Sequence, residues 1–214
     1  MASRASADRP ILSLVVDRSA ARGRLEDTIE AAARAGVDWV QLRERRLEGE
    51  AWLAFADSLA AAARRGRSDV CISVNRRIDV ALCLGVDAVH LGFDAVAVGT
   101  ARALLGEQAR IGVSAHTPDE VRAARAAGAD YAHLAPIYAP RSKPASRPPL
   151  GLAALRAAAR AGIPVIAQGG LCAERCGEAI AAGAAGVAVT GAILMGDDPA
   201  AETRRLREAL DGAR

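Results

Sequence analysis

Eight short aliphatic or β-branched runs recur from one end of the chain to the other: ILSLVVD, DWVQLR, VCISVN, AVHLG, RIGVSA, YAHLAP, PVIAQGG and GVAVTGA. Each gives way to an Ala- and Arg-rich stretch with apolar residues at helical spacing, as with Phe55, Leu59 and Ala62 after the second run. Strand and helix in strict alternation dictate a parallel sheet, because each strand must be carried back over the sheet before the next can pair. A second regularity sits before the even-numbered runs, where AGVDWV, LGVDAV, AGADYA and AGAAGV repeat one phrase. Its glycines, Gly36, Gly85, Gly128 and Gly183, read as helix stops placed just ahead of a strand.

Eight such units of roughly 25–30 residues are the size of a compact (β/α)8 TIM barrel. A doubly wound open sheet would share the periodicity, and the count of eight decides for the α/β barrel, a single domain over 11–214. Residues 1–10, MASRASADRP, are polar with no apolar centre, and read as a disordered tail and not a signal peptide. No apolar run approaches the roughly 20 residues that cross a bilayer, so a cytoplasmic address is the expectation. The 28 Lys and Arg against 25 Asp and Glu leave a net charge of only +3, which points away from nucleic-acid and membrane partners but leaves small anions open. Cys172 and Cys176 could share a helical turn, but without a second pair or a nearby His they read as ordinary thiols and not as a metal site. A homodimer is expected only because symmetric dimers are the commonest oligomers.

In such a barrel the chemistry lies on the loops after the strands. These carry Asp17, Arg43 to Arg45, Asn75 to Arg77, Gly92 to Asp94, His116, the Pro-rich segment 136–150, Gly169 with Gly170, and Thr190 with Gly191. This set is polar, whereas the barrel interior is expected to be mostly aliphatic. Glycine turns and helix starts after strands seven and eight expose N–H groups, which makes Gly169, Gly170, Thr190 and Gly191 a candidate phosphate site. Tight turns without a ligand are the plainer reading. Gln41, Arg43 and Arg45 alternate and so share a side. The two guanidinium groups, of Arg43 and Arg45, suit phosphate or pyrophosphate, or else a rim paired with Glu44 and Glu48. Lys143, the single lysine, stands beside Ser142 in the Pro-rich segment, where it could supply a compact positive charge. His116 is the candidate catalytic proton carrier, with helix capping beside Thr117 and Pro118 as its alternative. His133 reads as packing, and His90 as a residue that could line the barrel.

The ordered phrases QLRER, SVNRRIDVAL, AVHLG, GVSAHT, APIY with Ser142 and Lys143, AQGG and VTGAI resemble the thiamin phosphate synthase/TenI family over nearly the whole chain. The resemblance implies a barrel that binds a thiazole phosphate at the turns of Gly170 and Thr190–Gly191. Two activities are known in that family. The synthase joins hydroxymethylpyrimidine pyrophosphate to the thiazole phosphate and uses Mg²⁺ to assist departure of pyrophosphate. The TenI-type tautomerase shifts a proton on a thiazole carboxylate phosphate.

Two positions separate these activities. Where the resemblance expects Mg²⁺-ligating aspartates after Asn75 and after the HLG phrase, this chain has Arg76 and Ala95, with Asp94 one residue early and Phe93 in place of a Gln. An arginine in a hard cation's ligand shell adds repulsion in place of a bond. The rim NRR therefore reads as converted from metal binding to direct anion binding. The expectation drawn from this is an isomerase: a thiazole tautomerase without cofactor or metal, with His116 moving the proton. Its substrate would lie among Gln41, Arg43, Arg45, Asn75, Arg76, Ser142, Lys143, Gly169, Gly170, Thr190 and Gly191. The alternatives are the synthase, a transferase that would need Mg²⁺, and a barrel that binds a phosphorylated ligand without catalysis.

Overall fold

The aliphatic runs form strands β1 (Ile11–Val15), β2 (Trp39–Leu42), β3 (Cys71–Asn75), β4 (Ala88–Leu91), β5 (Arg110–Ala115), β6 (Tyr131–Leu134), β7 (Val165–Gln168) and β8 (Gly186–Val189) in the computed structural model, which describes residues 9–139 and 147–213. Between them lie helices α1 (Leu25–Ala35), α2 (Gly49–Gly66), α3 (Ile78–Leu84), α4 (Val98–Leu105), α5 (Pro118–Ala126), α6 (Gly151–Ala159) and α7 (Ala173–Ala181). A short α8 (Gly191–Leu194) and the longer α9 (Pro199–Asp211) follow β8. The strands pair in parallel in chain order and β8 returns to β1, so the sheet is a closed barrel, as the count of eight implied. Among the described residues, no helix is long and apolar enough to cross a membrane.

Period-two alternation splits each strand between two environments. Leu12, Leu14, Val40, Leu42, Ile72 and Val74 join the large cluster under the helices. Trp39, Cys71, Ala88, Tyr131, Ile166 and Ala188 form a smaller cluster of their own inside the barrel. Tyr131 meets Trp39 edge-on at 4.8 Å. The neighbouring strand makes room for it, since a Cβ on Gly112 would lie 2.1 Å from the Tyr131 ring.

The aliphatic interior expected from sequence holds only for part of the lumen. Gln41, Ser73, His90, Ser114, His133 and Gln168 lie on the same inward face, and four of them, Gln41, Ser73, His90 and His133, are buried. Polar side chains are tolerated there because the lumen opens into a pocket at the carboxyl ends of the strands.

The repeated phrase has a structural task. Asp38 accepts the Leu12 N–H at 2.9 Å, Asp87 the Ile72 N–H at 3.0 Å and Asp130 the Ile111 N–H at 2.6 Å. Each aspartate precedes an even-numbered strand and fastens the strand before it. The fourth copy has Ala185 at this place and no carboxylate. Gly36 and Gly85 end α1 and α3, and Gly128 and Gly183 lie one residue past the caps of α5 and α7.

Asp38 also gathers charge from three directions. Arg207 reaches it from α9 at 2.9 Å, Arg67 from the end of α2 at 3.0 Å, and Arg9 from the chain's start. Arg207 further donates to the Pro10 carbonyl at 2.9 Å, so residues 9 and 10, read from sequence as tail, pack on the barrel. Residues 1–8 lie outside the described residues. Removing one partner from a buried ionic cluster costs about 3 kcal/mol or more, because the remaining charges stay desolvated. Asp38→Ala is therefore expected to lower the urea midpoint well below that of Asp87→Ala, which forfeits one backbone hydrogen bond worth about 1 kcal/mol.

Candidate active site

The strand ends surround one pocket of about 650 Å³. Its floor is made by Gln41, His90, Ser114, His133 and Gln168, and its rim by the loops after the strands. His90 and His133 lie with ring centroids 4.4 Å apart. His90 Nε2 shares a hydrogen bond with Ser114 Oγ at 2.9 Å, and His133 Nδ1 one with Gln168 Oε1 at 3.0 Å. Among the described residues, His90 Nδ1, His133 Nε2 and Gln41 Nε2 are buried without a partner.

Burial holds both rings neutral. Desolvation pushes the His133 pKa down to about 4, against a smaller opposing effect of its bond to Gln168, and drives that of His90 well below the ordinary imidazole value, with His133 adding to it. The unfolded chain binds a proton on His133 at pH values where the folded chain does not, so acid favours unfolding. Stability from this group is complete above about pH 6.5 and lost as the pH falls toward 4, on the order of 3 kcal/mol in full. His133→Asn should flatten the dependence of the urea midpoint on pH between 6.5 and 4.5 relative to the parent chain. An unchanged slope would mean that His133 is not held neutral.

The β2 and β3 side of the rim is cationic. Arg43 donates to Asp17 at 2.9 Å, and Asp17 also takes the Ser19 hydroxyl at 2.6 Å. Burial opposes ionisation of Asp17, but the bonds from Ser19 and the Arg43 charge outweigh it and hold the carboxyl below its usual value. Arg43 is itself pulled below the ordinary guanidinium value, by burial first and then by the like charge of Arg45, with a smaller contribution from Arg76; Asp17 opposes the shift. The alternative of a rim paired with Glu44 does not describe Arg45. Glu44 caps the Arg45 and Arg46 N–H groups at 2.6 Å and faces Arg18 at 3.5 Å, and among the described residues Arg45 has no carboxylate at ion-pair distance. Asn75 points Nδ2 at Gln41 Oε1, a long contact of 3.5 Å. Arg76 pairs with Asp94 at 2.6 Å.

Across the pocket, Gly169 and Gly170 leave β7 with positive φ of 94° and 64°. Their lack of side chains has a packing cause that the phosphate reading did not consider. A Cβ at Gly169 would stand 2.8 Å from Pro136, and one at Gly170 2.5 Å from the Ala139 carbonyl. The same strip bonds β6 to β7, through Ile137 N–H to Gln168 O at 2.8 Å and Tyr138 N–H to Gly169 O at 3.0 Å. Thr190 and Gly191 stand where α8 begins and line the same pocket.

His116 also lines the pocket. Helix capping belongs to Thr117, whose Oγ1 accepts the Glu120 N–H at 3.1 Å, while Glu120 accepts the His116 N–H at 2.7 Å. The His116 ring is directed elsewhere: Nδ1 meets the Ala135 carbonyl, and its face stacks on Phe93 at 4.6 Å. Arg147 lies over the same Phe93 ring at 5.9 Å.

Ten of the twelve residues singled out from sequence thus meet at one pocket. Ser142 and Lys143, with most of the Pro-rich segment, lie outside the described residues. Sequence reading passed over Ser114, Gln168 and Arg147 and took His133 for packing. The signal for Gln168 was present, since it is the one polar side chain in the run PVIAQ and shares a face with Ile166. Cys172 and Cys176 are buried one turn apart, and burial pushes the Cys176 thiol up to about 12, which suits an inert thiol.

Fold and pocket together define a (β/α)8 barrel with a cationic rim and two glycine turns facing each other across the carboxyl ends of its strands. The family profile described as thiamine monophosphate synthase matches residues 12–193, and the chain belongs to that family. It is 41% identical over 189 residues to the thiamine biosynthesis bifunctional protein ThiM/ThiE of Symbiobacterium thermophilum, covering 88% of this chain and 39% of that longer protein. It is 36% identical to the thiamine-phosphate synthase of Roseiflexus castenholzii, over 92% of this chain and 87% of the relative. The thiamine phosphate pyrophosphorylase structure from Pyrococcus furiosus superposes with a TM-score of 0.84 over 97% of this chain and 98% of its own, at 24% identity, which speaks for the fold.

These relatives overturn the expectation of an isomerase. The Roseiflexus castenholzii relative carries the name of the synthase, a transferase, and neither it nor the Symbiobacterium thermophilum protein is named for a tautomerase. The misreading gave too much weight to Arg76 and Ala95. Loss of a metal ligand changes how charge is neutralised and leaves open which bond is made.

Proposed function

We propose that this chain is a thiamine-phosphate synthase. The thiazole ring nitrogen forms a bond to the methylene carbon of hydroxymethylpyrimidine pyrophosphate, and the carbon–oxygen bond breaks with its electron pair leaving on pyrophosphate. The exchange itself moves no proton, so it asks less of a general base than of groups that hold two anions in line. The names of the relatives support this reading, and one observation on the site carries it: a single pocket has arginines on one side and glycine turns on the other.

Arg43 and Arg45, with Arg76 beside them, would hold the pyrophosphate, which leaves with growing negative charge. Turns at Gly169–Gly170 and Thr190–Gly191 would hold the phosphate of the thiazole. Gln41 and Asn75, on the same face below the arginines, would meet the ring between the two anions. Lys143 and Ser142 would add to the pyrophosphate side. His116, with Nδ1 spent on Ala135 and its face on Phe93, would position the rim and offer Nε2 to the pocket.

The family resemblance implies Mg²⁺ at the β3 and β4 tips, and the residues present do not fit it. Asp94 is the carboxylate at that edge, and Arg76 occupies its Oδ2 at 2.6 Å. Ala95 offers no side-chain donor, and among the described residues no cluster of three His, Cys, Asp or Glu could hold a metal ion. A hard divalent cation needs several oxygen ligands and no neighbouring guanidinium.

The purified protein, given hydroxymethylpyrimidine pyrophosphate and thiazole phosphate with and without Mg²⁺, is expected to form thiamin phosphate and release pyrophosphate in equal amounts. Arg43→Gln should lower kcat/KM about ten- to a hundredfold, the worth of one charge-assisted hydrogen bond. Absence of product under both conditions, beside an active control enzyme, would refute the reading.

A further inference from the structure

The β3 tip is built to deliver a guanidinium. Among the described residues, Arg76 is the one non-glycine residue with positive φ, at 67°. Side chains with a Cβ pay roughly 1–2 kcal/mol to adopt that conformation. It is held by the Arg76 N–H on the His90 carbonyl at 2.9 Å and the Arg77 N–H on the Asn75 carbonyl at 2.9 Å. The turn sends the Arg76 side chain across the end of β4, over Gly92, where its Cδ lies 3.6 Å from where a Cβ would stand, an ordinary contact distance. It ends on Asp94 at 2.6 Å. Arg76 keeps 43% of its side chain exposed and lines the pocket beside Arg43 and Arg45.

Two consequences follow from this arrangement. A cation arriving at Asp94 must first displace a guanidinium already in contact with it. Conversely, an anion arriving between the three arginines relieves repulsion already present, since Arg45 and Arg76 both disfavour the charge on Arg43. Asp94 then serves as an anchor that fixes the Arg76 fork, a geometry suited to phosphate oxygens.

We propose that Arg76, anchored on Asp94 and grouped with Arg43 and Arg45, holds a diphosphate group directly, so that this pocket binds pyrophosphate without a divalent ion. The identity of the diphosphate rests on the transferase reading above, but the test needs no turnover.

Inorganic pyrophosphate is titrated into the full chain by calorimetry, in excess EDTA and again in Mg²⁺. Affinity in EDTA is expected to lie within about threefold of that in Mg²⁺. Arg76→Ala should weaken it about tenfold or more, with Arg76→Lys intermediate and both variants melting near the parent. Asp94→Asn gives the opposite sign for the two explanations. An anchor that offsets positive charge predicts binding in Mg²⁺ that is kept or tighter, and a metal ligand predicts its loss. Binding that needs Mg²⁺, or that Asp94→Asn abolishes, would overturn the inference and leave the transferase reading standing. No binding under either condition would also overturn it, and the coupled assay then decides separately whether the transferase reading falls too.

Discussion

Asp38 takes the backbone N–H of Leu12, and Asp87 and Asp130 repeat the contact on Ile72 and Ile111. A parallel barrel made of strands only four to six residues long has little ladder to fix its register. A carboxylate at the foot of one strand, bonded to a set residue of the strand before, supplies that fixing at three places. Register decides which face every side chain takes, since a slip of one residue would turn Gln41, His90 and His133 out of the lumen. The pocket at the far end of the strands thus depends on contacts made at their beginning.

The lumen between those ends is graded. Trp39 and Tyr131 fill its base over Gly112, and the polar side chains stand above them where the barrel widens into the pocket. Neutral imidazoles at the floor and guanidinium groups at the rim follow from the same gradient of solvation. Charge is costly where water is excluded and is kept where water or an anion can reach it. The rim offsets part of its own repulsion with Asp17 on Arg43 and Asp94 on Arg76. Each carboxylate fixes one guanidinium while leaving the rim cationic.

Most of the architecture was legible in the chain. Eight aliphatic runs, the helix-ending glycines and the AGVDWV phrase gave the barrel, because strand and helix periodicities are local properties. The rim was legible too, since loop residues after strands must gather at one end of a barrel whatever the details. What could not be read was partnership. Nothing in the spacing of Arg76 and Asp94 says that their side chains meet, nor that Gly169 and Gly170 are required by Pro136 and Ala139 across the loop. The choice of an isomerase rested on two missing aspartates, weighed above the three arginines that stand around the gap.

The sequence by itself determined the strand count, the chain order of the barrel and the polar character of its mouth, because each is set by residues close together in the chain. Only the tertiary structure decided that His133 is a floor residue kept neutral, that Arg43 is pulled below the ordinary guanidinium value by burial and by its neighbours' charge, and that Asp94 is occupied by Arg76. These depend on distance through space between different strands, and both desolvation and Coulomb interaction act over that distance without regard to separation along the chain.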